Sequence, residues 1–110
     1  MKNFVQQGEN VTLAAPYDVA SGAGAKVGSI FGVAQHDAEE AADVVLARRG
    51  VYDLAKTSAQ AWTVGAKVYW DDTNKVCTTV ASGNTLIGAA MEVAADPSAT
   101  GRVLLDGTAR

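Results

Sequence analysis

The chain has 110 residues, with nine basic and twelve acidic side chains and a net charge of −3 at neutral pH. That length suits one ordinary domain, which buries roughly two-thirds of the surface its unfolded chain exposes. The basic residues are scattered and only Arg48-Arg49 are adjacent, which disfavours nucleic-acid binding; the single cysteine excludes an intrachain disulfide, and no apolar run is long enough for a bilayer-spanning helix.

The opening MKNFVQQGEN lacks the apolar stretch of a signal peptide, so the chain reads as made in the cytosol. Phe4 and Val5 are apolar residues isolated among polar ones, and residues 1–10 read as an arm on a single β-rich domain spanning 1–110. NVTLAA (10–15) reads as a strand, and Pro16-Tyr17-Asp18 and Ser21 to Gly24 as turns. Residues 26–34 are a strand pair, or one long strand bent at Gly28 and Gly32.

Residues 37–50, DAEEAADVVLARRG, carry two conflicting signals. Asp37 as N-cap, Glu40 as its capping-box partner and Gly50 as the stop would make a helix. Val44, Val45, Val51 and Tyr52 instead favour β-structure. The preferred reading is a loop through Glu39 to Ala42 and then one strand from about Asp43 to Leu54, with a short helical turn near Thr57 to Ala61. KVYWD and KVCTTV, separated by DTN, read as a hairpin, and TLIGAAMEVAA and RVLLDG as the last strands. The expected fold is mainly all-β: a small barrel or sandwich of short strands with an extra hairpin and at most one short helix.

Three signals recur in order. GAKV stands at 24–27 and 65–68. An apolar pair with Gly-x-Ala follows at 30–34 and 86–90, and then RRGVYDL at 48–54 and GRVLLDG at 101–107. They suggest two similar halves, the second carrying the hairpin as an insertion.

Catalytic templates fail on spacing. In SGAGAKVGS (21–29) Ala25 precedes Lys26 and Val27 follows it, so the Gly-Lys-Ser/Thr of a phosphate loop is missing. Gly22, Gly24 and Gly28 do not give G-x-G-x-x-G, and SIFGVA after them reads as a strand, not a helix whose N-terminus could hold an anion. His36, Asp37, Glu39 and Glu40 place one imidazole among carboxylates, short of a four-ligand zinc set. Asp71 and Asp72 read as solvated turn residues, and Cys77 as a small core residue. Trp62, Tyr69 and Trp70 could stack bases on a sheet. Alternation instead puts Tyr69 and Trp70 on opposite faces, one in the core and one partly exposed. No catalytic residue, cofactor or metal site is expected.

MKNFVQQGENVTLAAP, SGAGAKVGSIFGVA, GVYDLAK, WTVGAKVYWDDTNKVCTT and GNTLIGAAMEVAA…RVLLDG together resemble a family of small phage and prophage proteins, the capsid cement or head decoration proteins. Some members carry an older label as RecA-like recombinases. The resemblance implies a non-enzymatic β-rich structural protein on the virion exterior. It would bind the major capsid protein on the outer surface of the head and stabilise capsomer contacts. A homotrimer would suit local three-fold positions on the shell, with Phe4 and Val5 as assembly contacts. No nucleic acid, membrane or small-molecule substrate is expected. The alternative, a small β-barrel nucleic-acid-binding or recombination-associated phage protein, conflicts with the negative charge and the failed phosphate loop.

Overall fold

The computed structural model describes residues 10–107. They form nine strands and no helix. In the first half β1 (Asn10–Ala14), β2 (Gly24–Val27), β3 (Ile30–Ala34) and β4 (Asp43–Ala47) make an antiparallel sheet in the order β1-β4-β3-β2. In the second, β5 (Arg49–Ala55), β6 (Lys67–Asp71), β7 (Val76–Thr78), β8 (Thr85–Ala90) and β9 (Thr100–Asp106) make another in the order β5-β9-β8-β6-β7. Residue choice follows the pleat: β9 turns Gly101, Val103 and Leu105 inward and the residues between them out.

Without β7 the two orders coincide, with β1, β2, β3 and β4 matching β5, β6, β8 and β9. Detail agrees. The Gly22 N–H donates to the Ala34 carbonyl and the Gly65 N–H to the Ala90 carbonyl, each at 2.8 Å. Both glycines have φ of 86°, a conformation open to glycine but strained for other residues. Isolated bridges Val19↔Ala38 and Trp62↔Ala94 occupy the same place in each half. The hairpin β6–β7 therefore carries the one added strand.

Two of the three repeated signals need re-reading. Gly65 matches Gly22, so the two GAKV copies are out of register by two residues. RRGVYDL and GRVLLDG are not counterparts; they lie in β5 and β9, which pair with each other from Arg49↔Asp106 to Ala55↔Thr100. The Gly-x-Ala signal does mark equivalent strands, β3 and β8.

The ambiguous stretch becomes a loop and then strand. Ala41 takes φ of 71°, and the Glu40 N–H donates to the Asp18 carboxylate at 2.8 Å, where a helix would keep both residues in its first turn. The expected single strand from Asp43 to Leu54 is two strands broken at Arg48. Val44 and Leu46 enter the first core while Leu54 enters the second, so the chain changes sheet, and Arg48 donates to the Gly107 carbonyl at the joint. The helical turn near Thr57 is absent: its N–H donates to the Cys77 carbonyl at 2.9 Å. Residues 26–34 are the strand pair β2–β3.

Between barrel and sandwich, the structure is sandwich-like. The five-stranded sheet brings its edges together only at the parallel bridge Lys56↔Cys77 and stays open elsewhere. Its core holds Leu54, Trp62, Val68, Trp70, Ile87 and Val103, and Phe31 and Val33 of β3 pack into it from the first half. The first core, around Ala15, Val19, Val44 and Leu46, lies wholly in the first half.

Candidate functional site

The tip of the β6–β7 hairpin reaches back to the first half. Asp71 shapes it: its carboxylate accepts from the Thr73 N–H at 3.0 Å, the Asn74 N–H at 3.2 Å and the Asn74 amide at 2.9 Å. These bonds, the Asn74 amide foremost, hold its carboxyl below the usual range. Asp72 then points across the junction. One of its oxygens accepts from Trp70 Nε1 at 2.9 Å and from the Tyr17 hydroxyl at 3.2 Å. Lys75 lies 4.2 Å from the centre of the Tyr17 ring and 3.7 Å from the same Asp72 oxygen. Beneath, the Phe31 and Trp70 rings meet at 4.9 Å and 49°.

A cleft of about 510 Å³ opens beside this contact, between Tyr17, Ala20, Glu40, Ala55, Trp70 and Lys75. Burial, and then the negative charge of Asp72, push the Tyr17 hydroxyl up to about 12. It stays protonated at neutral pH and serves as a hydrogen-bond donor. Trp70 and Lys75 are likewise engaged in joining the halves, so the arrangement works as a latch.

Other candidates resolve into structural roles. Burial pushes the Cys77 thiol up to about 12, which removes it as a nucleophile near neutral pH. His36 Nε2 accepts from the Val45 N–H at 3.3 Å, with Nδ1 3.0 Å from the Asp37 carbonyl. No group of three or more His, Cys, Asp or Glu among the described residues could hold a metal ion. Trp62 and Trp70 are buried, whereas Tyr69 is half-buried on the opposite face from Trp70, so they form no exposed stacking platform. SGAGAKVGS comprises a turn, β2 and a tight hairpin loop into β3. Phe4 and Val5 lie outside the described residues.

On the far side of the second half, Arg102 joins two acids. Its Nε and one terminal nitrogen donate to the Asp53 carboxylate at 2.9 and 3.2 Å, and its other terminal nitrogen reaches Glu92 at 3.0 Å. Val64, Met91 and Val93 stand exposed at the end of this half. Sequence reading missed both the latch and this corner. Tyr17 and Asp72 belong to different halves, and the exposure of a valine depends on which neighbours cover it.

A comparison of the whole sequence gives the family. The family model of the phage cement protein matches residues 5–105. The chain belongs to the phage cement protein family. No curated protein and no solved structure matches it. Membership gives the cement protein a structural role in a phage. No helix among the described residues is long and apolar enough to cross a membrane.

Proposed function

We propose that this cement protein binds the outer surface of an assembled phage head and stabilises the contacts between capsomers. The observation that carries the reading is the family match over residues 5–105, nearly the whole chain. The partner is the major capsid protein, and the protein acts as a homotrimer at local three-fold positions on the virion exterior, after synthesis in the host cytoplasm. Residues 1–10 form an arm whose Phe4 and Val5 anchor on the shell or a neighbouring subunit. Such a role suits the architecture, in which the two halves are tied by the Tyr17–Asp72 hydrogen bond and by Phe31 and Val33 packed into the core of the second half. Contacts that are weak singly gain from repetition over a shell.

The test is co-sedimentation with expanded, DNA-free heads that lack the protein. Saturable binding in multiples of three per local three-fold position is expected, and failure to bind the cognate shell overturns the proposal. Deleting residues 2–9 should lower occupancy; unchanged occupancy removes the arm from it.

A further inference from the structure

The two halves share a backbone plan, so each is a control for the other. In each half a glycine turn leads into a strand, β2 or β6, and the chain after the next strand, β3 or β8, returns beside that turn. The Gln35 N–H donates to the Val45 carbonyl and the Met91 N–H to the Arg102 carbonyl, both at 2.9 Å. With Gly22 matching Gly65 and Ala38 matching Ala94, positions Ser21, Gln35 and Asp37 correspond to Val64, Met91 and Val93.

The first corner is polar and satisfies itself. Asp37 accepts from the Ser21 N–H at 2.8 Å, and the Ser21 hydroxyl donates to the Gln35 carbonyl at 3.4 Å. The second corner carries the same turn with apolar side chains. Val64 is 66 % exposed, Val93 74 % and Met91 42 %. Val93 offers no acceptor to the Val64 N–H. The fold thus forms this turn without apolar residues, and here it leaves them in water, the signature of a surface that something covers.

We propose that the Val64–Met91–Val93 corner docks on an apolar spot of the major capsid protein, one bordered by basic side chains. This rests on the cement reading above. Two observations choose the occupant. Three side chains fall far short of the roughly 800 Å² per partner that a stable pair of copies buries, but suffice for one contact among many on a shell. Beside the corner, Asp53 and Glu92 share the single guanidinium of Arg102, leaving an excess of negative charge that a basic border complements.

The experiment gives the second corner the residues of the first: Val64→Ser, Met91→Gln and Val93→Asp together. The thermal midpoint is expected to stay near that of the wild type. Occupancy of cement-free heads at limiting concentration should fall by roughly tenfold or more. Unchanged occupancy overturns the inference while wild-type binding keeps the cement reading; absence of wild-type binding overturns both. Self-association of the wild type that the triple variant loses, with head occupancy unchanged, would assign the corner to a second copy and overturn the capsid assignment. Should the variant not fold, hydrogen exchange on head-bound wild type decides: protection at 91–94 supports the docking, and unchanged exchange there overturns it.

Discussion

Trp62 lies directly over Gly101. A Cβ on Gly101 would stand 2.3 Å from Trp62 Cζ3, inside any real contact distance. The counterparts in the first half are Val19 and Val44, both buried in its core. One half thus fills this place with two medium side chains, the other with a very large one over none. Gly101→Ala is expected to cost about 1–3 kcal/mol through overpacking, read as a lowered midpoint in urea. Trp62→Val alone should cost about as much or more by leaving a cavity. Trp62→Val with Gly101→Val restores the arrangement of the first half, and should recover part of the loss in a double-mutant cycle. Simple additivity would show that the two positions do not share space.

Gly88 is a harder constraint. A Cβ there would lie 1.9 Å from the Leu104 carbonyl oxygen, which is backbone in the paired strand and cannot swing aside. Its counterpart Gly32 is similar, with the Leu46 Cβ at 2.7 Å and the Ala47 carbonyl at 3.0 Å. Gly88→Ala must push β8 away from β9, so it should destabilise more than Gly101→Ala, by about 3 kcal/mol or more. Equal midpoints for the two variants in urea would contradict this.

These glycines show what could be read in advance. The Gly-x-Ala signal is visible in sequence because the close strand approach tolerates little else, and it correctly paired β3 with β8. The added hairpin was equally legible, since β-branched and aromatic runs flank an Asp-Thr-Asn turn. The break at Arg48 was not: Val44, Val45, Val51 and Tyr52 all favour strand, and only the separation of two cores makes the chain change sheet there. RRGVYDL and GRVLLDG looked like copies because neighbouring strands of one sheet meet similar alternation. The candidate site was legible only in its parts. Tyr17 and Asp72 join across the fold, and no local pattern announces such a contact.

Cys77 tests the burial of the second core. It lies in the edge strand β7 where that edge meets the other at Lys56, fully buried, with its thiol pushed up to about 12 by burial. At pH 8 the folded protein should therefore react negligibly with Ellman's reagent, and unfolding in guanidinium should release one equivalent. Rapid labelling of the native protein would mean that the edge at Lys56↔Cys77 opens readily. Slow labelling that follows urea concentration would measure that opening directly.

The latch makes a specific prediction at alkaline pH. The Tyr17 hydroxyl titrates at about 12 in the folded protein, against about 10 in an unfolded chain. Its folded value is raised, so its protonated form is the one that folding favours. The contribution is complete below about pH 10 and is lost as pH rises from there through 12. Tyr17 is only half-buried, and solvent screening reduces the effect to about 1 kcal/mol. Stability measured by urea titration at pH 9, 10.5 and 11.5 should fall along this series. Tyr17→Phe should be less stable than wild type at pH 9, because the Asp72 carboxylate loses a donor, and should lack this part of the alkaline decline. Asp72→Asn removes the negative charge facing the hydroxyl and so lowers its folded value, while the unfolded value is unchanged; its decline should begin at the same pH as in wild type but be smaller and end at lower pH. Parallel pH curves for all three proteins would show that the hairpin tip does not hold the two halves together.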